Sequence, residues 1–331
     1  MRLPFILILY LFVGRMVAQP VTIMSYNCEN LFDTIHDSTF DDFEFLPTGT
    51  HHWSRWRMYQ KLRGINQVIM AADTLRPLDI VCLEEVENDT VLTYLTRRTA
   101  LNSIAYNYIM TQSADTRGID VAIIYSPYTT RLLHHHPIRA VTTSPTRDIL
   151  YASLMVHGRD TLDIYALHLP SRLGGRTAGR NREAVIKTLL TAVDSLWHVR
   201  RSPNIVILGD MNDGPRSKLI HRNLADFINL ADMKHKTAPH YSVRGGYKTQ
   251  SGNQVGGTYK YQGAWDCIDQ IIISPSLLPL LRSAEIIAPP FLLEPDERYG
   301  GVKPRRTFIG YTYNGGTSDH LPVMVRFEIT R

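Results

Sequence analysis

The stretch "LDIVCLEEV" (residues 78–86) decides how this chain is read. It begins as a nearly continuous apolar run, without the alternation of a strand that has one wet face. Such a run reads as a strand buried on both faces, the signature of a sheet covered by other layers. It then ends in the carboxylates Glu84 and Glu85. "PNIVILGDMND" (203–213) repeats the pattern and closes on Asp210, Asn212 and Asp213.

Working outward, "VTIMSYN" (21–27) reads as a strand before the first of these. Residues 53–72 carry Trp56, Tyr59, Leu62, Ile65, Val68 and Ile69 at helical spacing and stop before Pro77. A second helix is expected from Thr90 to about Thr99. Five strand-like runs follow between residues 106 and 169, separated by Pro, Gly or Ser, and read as an antiparallel series. A long amphipathic helix covers 178–199, and "CIDQIIIS" (267–274) and "HLPVMVRFEI" (320–329) supply the last clear strands. Residues 241–264, rich in Gly, Tyr, Ser and Gln, mark a long loop of the functional or mobile kind. Repeats and a compositional linker are absent, so the chain reads as one α/β domain.

The N-terminus has a basic Arg2, an apolar run from Leu3 to Val13 and a small-residue exit at Val17-Ala18-Gln19. That is the pattern of a secretory signal peptide over 1–19, with a run too short to span a bilayer. The expectation is an exported protein, periplasmic or extracellular, with a domain over 20–331 and no stable membrane insertion after cleavage. Loss of Arg2 and Arg15 lowers the formal net charge from +5 to +3. This mild basic excess suits an anionic substrate. Cys28, Cys82 and Cys267 form no C-x-x-C and no cluster with histidine, which argues against zinc. Cys28 and Cys82 sit in or beside strand-like runs, as small hydrophobes do.

The informative pattern is where the polar residues fall. Asn27 and Glu29 follow the first strand; Glu84, Glu85 and Glu87 end the next. His168 ends "TLDIYALHL", Asp210, Asn212 and Asp213 end "IVILGDMND", Asp269 lies in "CIDQIII", and Asp319 and His320 open the last strand. Strand ends are where ligands bind in α/β sheets, and six strands ending this way point to one shared site. Carboxylates without clustered Cys or His favour a hard divalent cation, Mg2+ or Mn2+. Joined to histidines and to Asn donors, they fit metal-assisted hydrolysis of a phosphoester. The chain has no G-x-x-x-x-G-K-[ST] loop and no G-x-S-x-G, which removes the P-loop hydrolases and the commonest serine-hydrolase signal.

In order, "SYNCENLFD", "IVCLEEVEN", "RGIDVAIIYS", "YALHLPSR", "ILGDMND", "CIDQIIIS" and "TSDHLP" resemble the endonuclease/exonuclease/phosphatase superfamily, in particular an exported bacterial nuclease-like subgroup. The resemblance implies a four-layer α/β sandwich of two packed mixed β-sheets flanked by helices. It also implies roles. Glu85 is the principal metal ligand, with Asn27 and Asp319 beside the metal. Asp210 orients or deprotonates the attacking water, and Asn212 holds a phosphate oxygen. His168 is a phosphate donor or general acid, His320 contacts the scissile phosphate, and Asp269 fixes His320.

The chain departs from the family where the usual Gln before the metal-binding Glu is Glu84. Alternation of side chains along a strand would send Glu84 to the opposite face. Glu29 and Glu87 read either way, as site residues or as bystanders. The "HHH" at 134–136 lies outside every motif and reads as surface. Arg117 and Arg172 flank motifs and are candidates to face a phosphate backbone, whereas Arg176, Arg180 and Arg182 read as a solvated helix start. The resulting expectation is a monomeric exported nuclease. A phosphatase or phosphodiesterase acting on inositol or sugar phosphates or lipid head groups is the alternative, and a non-catalytic binding protein the remaining one.

Overall fold

The structure, a computed structural model, describes residues 19–232 and 255–329. The expected signal peptide therefore lies outside the described residues, as does most of the expected loop at 241–264. In chain order the strands are β1 (Gln19–Leu31), β2 (Ile80–Val86), β3 (Asn107–Met110), β4 (Asp120–Tyr125), β5 (Thr130–Ile138), β6 (Ile149–Val156), β7 (Asp160–His168), β8 (Asn204–Asp210) and β9 (Ile228–Asn229). They continue with β10 (Tyr259–Tyr261), β11 (Ala264–Asp266), β12 (Asp269–Ile273), β13 (Leu281–Ile286), β14 (Leu293–Pro295), β15 (Val302–Pro304), β16 (Phe308–Ile309), β17 (Thr312–Tyr313) and β18 (Val323–Ile329). The α-helices are α1 (Arg55–Ala72), α2 (Asp89–Arg97), α3 (Gly175–Val199) and α4 (Lys218–Asn223).

Two six-stranded mixed sheets form the centre, ordered β13-β18-β1-β2-β4-β3 and β5-β6-β7-β8-β12-β9. Each holds one parallel pair, β1–β2 in the first and β7–β8 in the second. The expected antiparallel series is therefore split. β3 and β4 pair in the first sheet, and the chain crosses to the second at β5, where β5, β6 and β7 pair in turn.

Pleating sorts the side chains of the second sheet into two layers. Val206 and Leu208 of β8, with Leu162, Ile164 and Ala166 of β7, join the core between the sheets. Ile205, Ile207, Tyr165 and Leu167 face outward and pack against Val185, Ile186, Leu189 and Val193 of α3. On the other side, α1 and α2 cover the first sheet through Leu62, Ile65, Val68, Val91, Leu92 and Leu95. The result is the expected four-layer sandwich. The N-terminal end of α1 is set by local chemistry: Ser54 caps it by accepting from the Arg57 N–H, and buried Trp53 precedes the cap and donates Nε1 to the Phe32 carbonyl.

The inward parity of β7, β8 and β12 continues to their ends, so His168, Asp210 and Asp269 emerge on the face toward the first sheet. Register places His168 beside Asp210, and Asp210 directly opposite Asp269. Gly209 lets the backbone reach that point. Its φ is +134°, and a Cβ there would lie 1.8 Å from the Leu167 carbonyl oxygen. Gly209→Ala should cost at least about 2 kcal/mol of stability in denaturant unfolding, since both strain and overlap would have to be relieved. Unchanged stability would contradict this placement of the strand.

Candidate active site

Two bulged strand ends build the first half of the site. The β1–β2 register shifts between Asn27 and Leu31, and the β2–β4 register between Glu84 and Val86. At those points Glu29, Asn30 and Glu85 take φ of +48°, +60° and +60°. Such bulges re-aim side chains, and non-glycine residues there cost about 1–3 kcal/mol each unless their surroundings enforce them. Here the enforcement is visible. The Glu29 N–H donates to Asn27 Oδ1 at 2.9 Å, and the Asn30 N–H donates to Glu85 Oε2 at 2.8 Å.

The turn at Glu85 also breaks the alternation that would send Glu84 to the opposite face. Glu84 instead lies opposite Asn27 in the β1–β2 register, fully buried, accepting from Ser25 Oγ at 2.7 Å. Burial pushes its carboxyl well above the usual range, and the Asp269 and Asp210 charges push the same way. Glu84 thus lies beneath the site, with Oε2 unpartnered.

Asn27, Glu85, His168, Asp210 and Asn212 come together. Asn27 Nδ2 lies 3.2 Å from Asp210 Oδ2 and 3.5 Å from Glu85 Oε1. His168 Nε2 is 3.4 Å from Asp210 Oδ2 and 3.9 Å from Glu85 Oε1. Asn212, at φ +46°, donates its N–H to Asp210 Oδ1 at 2.8 Å and its Nδ2 to the Leu169 carbonyl at 2.9 Å. From the first sheet, His320 donates through Nδ1 to Asp269 at 2.8 Å, with Nε2 3.9 Å from Asp210 Oδ2 and 3.8 Å from Asp319 Oδ1. Ser318 shapes this approach: its Oγ donates to the Asn27 carbonyl and accepts the His320 N–H. Gly316 lets the preceding turn press in, because a Cβ there would stand 1.8 Å from the Arg305 carbonyl.

The two histidines are electrostatically opposite. Burial alone would lower His320, but the Asp269 charge and hydrogen bond, with Asp319 and Asp210, hold it well above its ordinary value. Burial, together with the Arg147 and Arg117 charges, holds His168 well below. Asp210 is raised to about 7, first by burial and then by Asp269 and Glu85.

Arg147 and Arg306 carry no motif and were not anticipated. Arg147 is buried; Nη1 donates to Asp115 at 2.8 Å, Nη2 donates to the Leu169 carbonyl, and Nε has no partner. The same Asp115 holds Arg117, half exposed, with Nε at 3.7 Å. Arg306 lies in the short hairpins before the last strand and contacts Glu29 and Asp319. Glu29 also accepts the Thr307 N–H, and buried Lys61 of α1 donates to the Glu29 carbonyl and to Thr307 Oγ1. Glu29 is therefore at the edge of the site. Glu87 is not: it accepts the Asp33 N–H at 2.6 Å, and its charged neighbours are Asp33, Asp42 and Asp37. Arg172 pairs with Asp266 at 2.5 Å. The β10–β11 hairpin occupies the described end of the expected loop. It sets the Tyr259 ring 4.9 Å from that of His320.

The donor set fits a hard divalent cation. Asp210, Asp269 and His320 offer ligand atoms within 4.8 Å of one another, but Asp269 and His320 are committed to each other. Glu85, Asn27 and Asp319 offer oxygens at the more open side, Glu85 being 14% and Asp319 18% exposed. The crowding of these carboxylates, with Asp210 and Glu84 pushed upward by burial, is what a cation relieves.

A two-sheet sandwich with this edge is the fold of metal-dependent phosphoesterases. The model of the endonuclease/exonuclease/phosphatase family matches residues 22–329, and the chain belongs to that family, whose members are metal-dependent phosphoester hydrolases. Among similar solved structures is a family protein from Bacteroides thetaiotaomicron, at 15% identity, TM-score 0.60, covering 94% of this chain and 98% of that one. A mannosyl-6-phosphatase from the same organism has 14% identity, TM-score 0.59 and coverage of 93% and 100%. Humanized Danio rerio TDP2 has 17% identity, TM-score 0.57 and coverage of 94% and 99%. At such identities the likeness establishes the fold alone. A sequence comparison with curated proteins finds no match.

Glu87 offers a pH test of the packing around the site. Burial raises its pKa to about 8, so between about 4.5 and 8 the folded state binds more protons than the unfolded one. Stability must then fall as pH rises through that window. Glu87→Gln keeps an oxygen for the Asp33 N–H and removes the effect. Its thermal midpoint, relative to the parent, should therefore rise between pH 5 and pH 8. A pH-independent difference would contradict this.

Proposed function

We propose that the chain is an exported, divalent-metal-dependent phosphodiesterase acting on nucleic acid, with a signal peptide over 1–19, a domain over 20–331 and a monomeric state. The observation that carries the reading is the meeting of Asp210 with both histidines, one shifted upward and one downward, beside Glu85 and Asn27.

Held by Glu85, Asn27 and Asp319, Mg2+ or Mn2+ would supply neutralisation of phosphate charge. The remaining steps belong to the chain. Asp210 is oriented by the Asn212 N–H and Asn27 Nδ2, and with a pKa near 7 it is basic enough to take a proton from water at neutral pH. His320, kept charged by Asp269, presents Nε2 to a phosphate oxygen. His168 is held neutral, which favours a hydrogen-bond donor over a general acid. Asn212 Nδ2, which donates to the Leu169 carbonyl and lies 3.3 Å from Asp210 Oδ2, would turn from one of these to hold a second oxygen.

For the substrate, half-exposed Arg117 continues the positive charge of Arg147 outward, and Arg172 lies on the hairpin side of the site. Tyr259 beside His320 and the exposed Tyr261 offer ring faces on which bases stack. The second reading, a phosphatase on sugar or inositol phosphates, draws on the mannosyl-6-phosphatase among the fold neighbours.

Assays on plasmid DNA, RNA, bis-p-nitrophenyl phosphate and sugar phosphates with Mg2+ separate the readings. Nicking of nucleic acid should be abolished by EDTA and reduced about 10²–10⁴-fold in His320→Ala and Asp210→Asn, with folding retained. Turnover of monoesters only would replace the nuclease by the phosphatase reading.

A further inference from the structure

The histidine run at 134–136 is untouched by the site, and it lies on β5, the outermost strand of the second sheet. All three histidines are exposed. His134 pairs across from Ser153 and His136 from Tyr151, so the two share a face, and their ring centroids are 5.1 Å apart. His135, opposite the inward-facing Ala152, alternates to the other side. The decisive distance is between nitrogens: His136 Nδ1 and His134 Nε2 are 3.1 Å apart.

That spacing is the bite of a chelate. With metal–nitrogen bonds of about 2.0–2.1 Å, two ligands at a right angle stand about 2.8–3.0 Å apart, and two at a tetrahedral angle about 3.3–3.4 Å. The observed 3.1 Å lies between these values. We propose that His134 and His136 form a surface bis-imidazole site for a late first-row transition ion, with copper(II) the tightest occupant. Imidazole pairs rank divalent ions in the order that peaks at copper, and water completes the coordination sphere.

The surroundings support the pair without joining it. Tyr151 packs 4.9 Å from the His136 ring, but its hydroxyl is taken by Asp163 at 2.8 Å. Burial and the neighbouring His134 and His135 hold His136 below its ordinary pKa, and a bound ion would replace the hydrogen bond between His136 Nδ1 and His134 Nε2. The nitrogen donors here are softer than the oxygen donors around Glu85, so Mg2+ favours the oxygen site and Cu2+ this pair.

Titration of the metal-stripped full chain with Cu2+, followed by electron paramagnetic resonance, tests this. One tight equivalent should show hyperfine structure from two nitrogens. His134→Ala and His136→Ala should each weaken it at least about tenfold, because each leaves one imidazole without its chelate partner. His135→Ala should leave it intact. Affinity unchanged in the first two variants, or lost equally in His135→Ala, would overturn the proposal. Thermal unfolding of each variant establishes that these exposed substitutions leave the fold in place.

Discussion

The structure depends on one placement of charge. Antiparallel pairing of β8 with β12 sets Asp210 directly opposite Asp269, two carboxylates at adjacent positions in a buried sheet edge. Like charges so paired repel, and burial makes both costlier. The relief comes from the other sheet. His320 enters just before β18, binds Asp269 through Nδ1 and turns Nε2 toward Asp210. The interaction that makes the strand pairing tolerable therefore also clasps the two sheets at the site. It fixes the His320 ring that the proposed mechanism sets against the phosphate, next to Asp210, which that mechanism makes the base.

The opposite wall uses backbone rather than charge. The left-handed Glu29 and Asn30 of β1 and Glu85 of β2 are held by hydrogen bonds that they themselves satisfy. Lys61 reaches from α1 to lock the same segment against Thr307, which brings the late hairpins and Arg306 to the site. Strain there is compensated by contacts from three distant parts of the chain. This is why the site's geometry is a property of the whole sandwich and not of any one motif.

Much of this was legible in the sequence. Apolar runs with charged ends marked β2 and β8, and the helical spacing of Trp56 to Ile69 marked α1. The strand-end positions Asn27, Glu85, His168, Asp210, Asn212, Asp269, Asp319 and His320 do gather. What stayed hidden depended on local conformations without periodic signals. Glu84 lies under the site because Glu85 adopts a left-handed turn that alternation cannot foresee. Arg147 and Arg306 precede strands in segments with no repeat, and Lys61 looks like an interruption of an apolar helix face. The split of the antiparallel runs between β4 and β5 is a tertiary event, since either pairing satisfies the same local pattern.

The central claim is that Asp269 keeps His320 charged between the two sheets. Nitrogen-15 NMR of the labelled imidazoles across a pH titration tests it most directly. The account predicts that His320 retains protons on both ring nitrogens well above its ordinary pKa, and that Asp269→Asn returns it toward or below that value. A His320 that titrates at its ordinary value with Asp269 in place would contradict it.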